Sequence, residues 1–280
     1  MTFSIVGYDA KEKEWGIAVQ SKFVGVGAVV PFAKAGTGAV ATQSYANTSY
    51  GPQALELMAA GKSAEEAMEL ITKDDADKEL RQVGLIDASG NPATFTGSKC
   101  YNWAGGVTGK NFAAQGNILV DEKTVQAMAD TFIETEGSLA ERLLSALNAG
   151  QEAGGDSRGE QSAALLVVKE KGGYGGFNDR YIDLRVDDHA EPITELIRVF
   201  RLQQLYFAPS KPENVAAVEG SLKEELTANL LRLNYLKAEL ENDEELYKAL
   251  TAYIHTENFE EREQETGKID LEVLEFMRKQ

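Results

Sequence analysis

The sequence predicts an α+β protein. Two antiparallel sheets packed face to face with helix pairs outside would form a four-layer αββα sandwich, with a small helical domain after it. Three observations lead there. Short apolar runs and helical patterns follow the order strands, two helices, strands, two helices, strands. Gly and Ala are dense before Pro209, whereas the chain beyond it is charge-rich and helical, with nine basic and seventeen acidic residues. Pro209 and Pro212 interrupt the helical pattern at the change, as a linker would. The expected domains are therefore 1–208 and 209–280.

The elements follow in order. Phe3–Tyr8 and Trp15–Val19 are apolar runs separated by a charged loop, the pattern of a hairpin. Val24–Ala33 and Gly38–Gln43 suggest a second pair. A helix over Gly51–Met58 is closed by Gly61. Ser63 and Glu66 stand at capping-box spacing and start another. Arg81–Asp87 and Ala93–Gly97 read as a hairpin around Ser89–Pro92, and Phe112–Leu119 as a further strand. Helices are expected near 121–135 and 138–149, and final strands over Ser162–Lys169 and Tyr181–Val186. In the tail, Leu226, Leu230, Leu233, Leu236 and Leu240 recur at helical spacing, as do Leu246, Leu250, Tyr253 and Ile254. Such faces fit a core or a subunit interface, so a homo-oligomer is expected.

Composition excludes several classes. A net charge of −17 over 280 residues argues against duplex nucleic acid and anionic membrane surfaces as partners. No apolar stretch is long enough to span a bilayer, and no basic segment followed by an apolar one marks a leader. A cytoplasmic protein is expected. One cysteine forms no internal disulfide, and two histidines build no His-rich metal site. Asp187-Asp188-His189 reads as a charged loop, with a metal as the alternative. Gly154-Gly155 and Gly172-Gly173 lack the Lys-Ser/Thr of a phosphate-binding loop. We expect no cofactor and no metal. Cys100 has no histidine near it in sequence and reads as a packed thiol.

Thr2 carries the chemistry. If Met1 is removed, Thr2 presents a hydroxyl and a free α-amine on one residue, a nucleophile with its own base. An α-amine titrates near pH ~8, so part of it is neutral at physiological pH. The alternative is an ordinary strand start.

The element order with Thr2 at its head resembles the N-terminal nucleophile (Ntn) hydrolases, most closely the proteasome β-subunit arrangement. That resemblance implies Thr2 as nucleophile and a lysine about thirty residues on, at a strand end, lowering its pKa. Lys34 lies 32 residues downstream, after Val29–Ala33. Ala114-Gln115-Gly116-Asn117 stands where the pattern has Gly-Ser-Gly, and Asp156-Ser157-Arg158-Gly159 where it has Asp and Ser-Gly. Two positions depart. Gln20 replaces the supporting aspartate and Asn117 the turn serine, which weighs against proteasome-like proteolysis.

A sharper resemblance is to an uncharacterised Ntn-hydrolase-like bacterial family. It rests on Gln20–Phe23, Val26–Pro31, Gly38–Gln43, Tyr50–Pro52, Gln115–Asn117, Gly154–Gly159, Gln161–Ala164 and Asp183–His189. Ala249–Tyr253, Glu257–Arg262 and Gly267–Leu274 resemble a small module, named for peptidoglycan binding, that some members carry. A glycan-binding use would draw on exposed aromatics such as Tyr247, Tyr253 or Phe259.

The candidate catalytic residues are Thr2, Lys22 and Lys34. A lysine near the nucleophile would favour the alkoxide and keep the amine neutral. Lys22 is otherwise a surface residue at a strand end. Candidate substrate contacts are Ser21, Ser44, Tyr45, Asn47, Gln115, Asn117, Asp156 and Arg158. The turn at Ser44–Asn47 offers backbone N–H groups as an oxyanion hole, or is capped like any loop. Asp156 and Arg158 bind substrate charge or pair with each other. Two functions follow. One is an Ntn amide hydrolase acting on a small peptide-like or acylated amine substrate. The other is a catalytically silent Ntn-fold protein that binds a ligand or partner.

Overall fold

The computed structural model describes residues 2–237 and 242–280. Met1 and Leu240 lie outside the described residues. The chain divides into two compact units, Met1–Ile197 and Arg198–Gln280.

In the first unit, β1 (Thr2–Asp9) and β2 (Glu14–Ser21) form the expected hairpin, with Tyr8 opposite Trp15 and Thr2 opposite Ser21. The chain continues through β3 (Pro31–Lys34), β4 (Gly38–Ser44), α1 (Tyr50–Ala59), α2 (Ala64–Lys73), β5 (Arg81–Asp87) and β6 (Pro92–Thr96). Then come β7 (Gly105–Gly109), β8 (Phe112–Asn117), α3 (Lys123–Glu134), α4 (Leu139–Glu152), β9 (Ser162–Val168) and β10 (Arg180–Val186). A six-stranded sheet has the order β10-β9-β2-β1-β8-β7 and a four-stranded one β3-β4-β5-β6; every pairing is antiparallel. The protein is thus α+β.

Side-chain alternation explains how these elements pack. Val6, Tyr8, Trp15, Ile17 and Val19 of the larger sheet share one core with Ala39, Ala41 and Ile86 of the smaller. The opposite face of β4 and β5 packs under α1 and α2 through Val40, Val83, Leu85, Met58 and Ile71. On the other side α4 covers β1 and β2, and α3 covers β7 and β8. Gly16 admits that cover closely: a Cβ there would lie 2.7 Å from Leu143 Cδ1. The Ser63–Glu66 capping box forms as expected, and Ser138 with Glu141 makes a second at the head of α4.

Several expectations need correction. The run from Val24 does not form one strand to Ala33. Gly25 takes φ 66°, Val26–Ala28 makes a single 3-10 turn, and pairing begins only at Pro31. The Gly-rich strand β7 escapes a search for apolar runs. It exists because β8 pairs with it, Gly105 opposite Gly116.

In the second unit lie the C-terminal part of α5 (Pro192–Phe207), β11 (Val215–Ala217), α6 (Gly220–Arg232), α7 (Asp243–Thr256), β12 (Lys268–Asp270) and α8 (Leu271–Lys279). Leu226 and Leu230 are buried on α6, but that helix stops at Arg232. Asn234 follows at φ 65°, so Leu233 and Leu236 do not continue its face. Tyr253 and Phe259 are fully buried in this unit's core and Tyr247 is half-buried, so the first two are packing residues, not exposed glycan platforms. Arg262 is buried too. It pairs with Asp270 at 2.9 Å and donates to the carbonyls of Gln204 and Leu205 at the end of α5. Among the described residues no helix is long and apolar enough to cross a membrane.

Candidate active site

β1 is an inner strand of the six-stranded sheet, and its first residue is flanked on both sides. Thr2 lies opposite Ser21 of β2 and opposite Asn117 of β8. Because Val6 and Tyr8 point toward the smaller sheet, so do Thr2 and Ser4. The Thr2 hydroxyl is 3.0 Å from that of Ser21, and both residues are buried.

Behind Thr2 lies a buried network of amides linking the two sheets. Ser4 Oγ donates to Gln43 Oε1 at 2.7 Å. Gln43 Nε2 donates to Gln82 Oε1 at 2.8 Å and to the Thr2 carbonyl at 3.3 Å. Asn117 Nδ2 donates to Gln82 Oε1 at 2.9 Å and to the Thr2 carbonyl at 3.4 Å. Gln82 Nε2 donates in turn to the Gly116 carbonyl at 2.7 Å and to Thr96 Oγ1 at 2.9 Å. Gln115 Nε2 bonds Ser4 Oγ at 2.7 Å. Gly84 makes room for that side chain: a Cβ would stand 2.1 Å from Gln115 Oε1. Buried amides are costly unless paired; Gln115 Oε1 has no partner, but the Ser4, Gln43, Gln82 and Asn117 bonds join the two sheets and hold Thr2 at the strand end.

In front of Thr2 is a cleft of about 100 Å³. Thr2, Ser21, Lys22, Ser44 and Arg158 line it, with Val26, Val29 and Val30 as apolar wall. Ser44 holds φ 72°, which turns the chain away from β4 beside the cleft, and Ala46 lines it as well. Five of the candidate residues therefore converge on one cavity, and Asn117 reaches Thr2 from behind.

Lys22 lines the cleft, but its Nζ donates to the Glu160 carbonyl at 2.9 Å. Lys34 is paired with Gly38 at the turn end of its hairpin, whereas Gln43 and Ser44 at the other end of β4 meet Thr2. Spacing along the chain suggested a lysine beside the nucleophile. Antiparallel pairing instead sends Lys34 to the far end. Asp156 is fully buried at its side chain and accepts from the backbone N–H groups of Lys22, at 3.0 Å, and Arg158, at 2.9 Å. Tyr45 is half-exposed, with its hydroxyl 3.3 Å from that of Tyr101.

Asn47 braces the loop. Its Oδ1 accepts from Ser49, and its Nδ2 donates to Asp75. Asp75 also accepts from Tyr50 Oη at 2.7 Å and Arg81 Nε at 3.1 Å. The Arg81 guanidinium, then the Tyr50 hydroxyl, hold the Asp75 carboxyl well below the usual carboxylate range. Burial and that carboxylate push the Tyr50 phenol up. Arg81 Nη1 also donates to the Tyr45 carbonyl at 2.7 Å, which ties the turn beyond Ser44 to β5.

Cys100 is buried, with Sγ 3.3 Å from the Arg81 carbonyl. His189 Nδ1 accepts from the Glu191 N–H at 3.0 Å. Among the described residues no group of three His, Cys, Asp or Glu side chains is placed to hold a metal ion. Gln43 and Gln82 were not among the candidates; for Gln82 a signal was present. Its signal was a single amide inside the otherwise apolar strand Gln82–Ile86.

Residues 2–196 match the model of a family of unknown function, DUF1028. Residues 206–277 match a model described as "Putative peptidoglycan binding domain". A crystal structure of a DUF1028 protein from Silicibacter pomeroyi is similar to this chain, with a TM-score of 0.67 and 30% sequence identity. The match covers 72% of this chain and 89% of that one. A search of curated proteins finds no match. The chain belongs to the DUF1028 family and carries a C-terminal segment that matches the "Putative peptidoglycan binding domain" model.

Proposed function

We propose that the first unit is an Ntn-type αββα sandwich and that Thr2, freed by removal of Met1, is the nucleophile of an amide hydrolase. One observation carries this reading. The second residue of the chain sits on an inner strand, is clamped by Ser21, Gln43 and Asn117, and opens its hydroxyl into a cleft.

The chemistry is acyl transfer. The Thr2 hydroxyl attacks the amide carbon, and the α-amine takes its proton and passes it to the departing amine as the C–N bond breaks. The acyl group is left as an ester on Thr2. Water, activated by the same amine, hydrolyses that ester to the carboxylic acid and restores Thr2. The turn at Ser44–Ala46 supplies backbone donors for the developing oxyanion; the Tyr45 N–H is already spent on the Leu80 carbonyl. Lys22 acts as a cleft cation.

A second reading has its own support. The Lys22 ammonium is engaged by the Glu160 carbonyl and Lys34 is remote, so the α-amine is the base without a lysine to assist it. That arrangement suits a catalytically silent protein that binds a small ligand in the same cleft. An amide-substrate screen separates the two. The hydrolase reading expects turnover by wild type, none by Thr2→Ala, and nearly equal melting temperatures. Equal turnover by both proteins removes Thr2 from the chemistry.

A further inference from the structure

The eleven residues from Phe23 to Ala33 carry no polar side chain. Residues 23–30 of that run form a loop before β3. So apolar a segment ordinarily buries itself, yet Phe23 and Val24 are 48% and 60% exposed. Phe23, Val26, Val29 and Val30 line the cleft in front of Thr2. Apolar side chains left in water together at the edge of a cleft mark a binding surface. The loop is also built onto the strand ends that carry Thr2. Ser21 stands opposite Thr2 on one side and opposite Ser162 of β9 on the other. The buried Ser162 hydroxyl donates to the Phe23 carbonyl and accepts from the Val26 N–H at 3.1 Å. The Gly25 N–H donates to the Asp187 carbonyl at 2.9 Å, and the N–H groups of Val29 and Val30 donate to the Val26 carbonyl at 3.1 Å. Gly27 lies so close to β9 that a Cβ would stand 2.7 Å from Ala164 Cβ. These contacts satisfy the backbone and fix the loop, so a ligand need not order it.

Resting on the hydrolase reading, we infer that the 23–30 loop is the acyl subsite and that the substrate is the amide of an apolar acyl group. The chemistry in the cleft says which part of the substrate lies there. The acyl group stays on Thr2 as an ester while the amine departs and water enters in its place. An apolar acyl chain needs no hydrogen-bonding side chain, and the loop has none. The departing amine and the entering water need polar lining, which Lys22 and Ser44 supply. Phe23, at the exposed edge, is then the residue that reads the length of the acyl chain.

The test is calorimetric titration of the full chain carrying Thr2→Ala, in which no turnover competes, with three neutral amides. N-hexanoylglycinamide and N-acetylnorleucinamide are isomers that carry the same methylenes on the acyl side and on the amine side; N-acetylglycinamide lacks them. N-hexanoylglycinamide is expected to bind at least about tenfold more tightly than N-acetylglycinamide, and more tightly than its isomer. Phe23→Ser, added to Thr2→Ala, removes most of that preference, and Phe23→Leu keeps it. Because Phe23 is half-exposed, both variants are expected to melt near their parent. Equal binding of N-hexanoylglycinamide and either comparison compound, a preference for N-acetylnorleucinamide, a preference unmoved by Phe23→Ser, or no binding of N-hexanoylglycinamide at millimolar concentration overturns the inference. Turnover by wild type reports separately. Acyl-selective binding without hydrolysis of N-hexanoylglycinamide sinks the hydrolase reading and leaves the apolar subsite standing. Hydrolysis of N-acetylglycinamide and N-hexanoylglycinamide with equal kcat/KM does the reverse.

Discussion

The layer between the two sheets has two halves built on opposite principles. Toward one end it is apolar: Val6, Tyr8, Trp15 and Ile17 meet Ala39, Ala41 and Ile86. Toward the other, the same strands place Ser4, Gln43, Gln82, Gln115 and Asn117 in a hydrogen-bonded web behind Thr2. Apolar burial is non-directional and supplies stability wherever volumes fit. Amide pairs are directional, so they add less net stability but hold one geometry. The contrast indicates that one half holds the sheets together and the other positions the strand end.

That comparison is best broken from the apolar side first. Ile17 is fully buried, and Ile17→Ala leaves a cavity costing about 3 kcal/mol. Thermal unfolding of the first unit should shift down by roughly 6–12 °C, while ligand affinity of the folded protein at 20 °C stays near wild type. A large loss of affinity at unchanged stability would erase the distinction between the halves.

Gln82→Leu is the matching cut on the polar side. It removes the acceptor shared by Gln43 and Asn117 and leaves the Gly116 carbonyl without that donor. Stability should fall by about 2 kcal/mol, less than for Ile17→Ala, yet cleft binding should suffer more because Thr2 loses its clamp. Calorimetry and melting curves on both variants give the two rankings, which are expected to be opposite.

Asp75→Asn sharpens the contrast by pH. The folded carboxyl is held below its ordinary value, mainly by Arg81 and then Tyr50. Its contribution is therefore present above the unfolded value near pH ~4 and is lost as pH falls through the folded one. The melting-temperature gap between wild type and Asp75→Asn should be full at neutral pH and close in acid. A gap that widens on acidification would show that the brace is not ionic.

The smallest effect is expected for Ser21→Ala. It removes one hydroxyl partner of Thr2 and costs about 1 kcal/mol or less.

What the sequence revealed follows the same division. Apolar periodicity located β1, β2, β4, β5 and β9, and Ser63 with Glu66 marked the start of α2. Hairpin logic alone brings Thr2 and Ser21 together, because a loop after Asp9 forces that register. Periodicity is silent where strands are made of glycine, as at Gly105–Gly109, and where an apolar run turns without proline, as at Val24–Val30. The Lys34 spacing misled because distance along a chain does not say which end of a hairpin faces a neighbour. The amide web was invisible for a related reason. Gln43, Gln82 and Asn117 come from three separate strands, and only the packed sheets bring them into contact.

The central claim is that the Thr2 hydroxyl is a nucleophile. Untagged protein incubated with an activated short-chain acyl ester, then analysed by intact mass and peptide mapping, tests it directly. The account predicts a chain beginning at Thr2, one acyl increment mapped to that residue, and no adduct on Thr2→Ala. A chain that retains Met1, or an adduct that maps elsewhere and persists in Thr2→Ala, would contradict it.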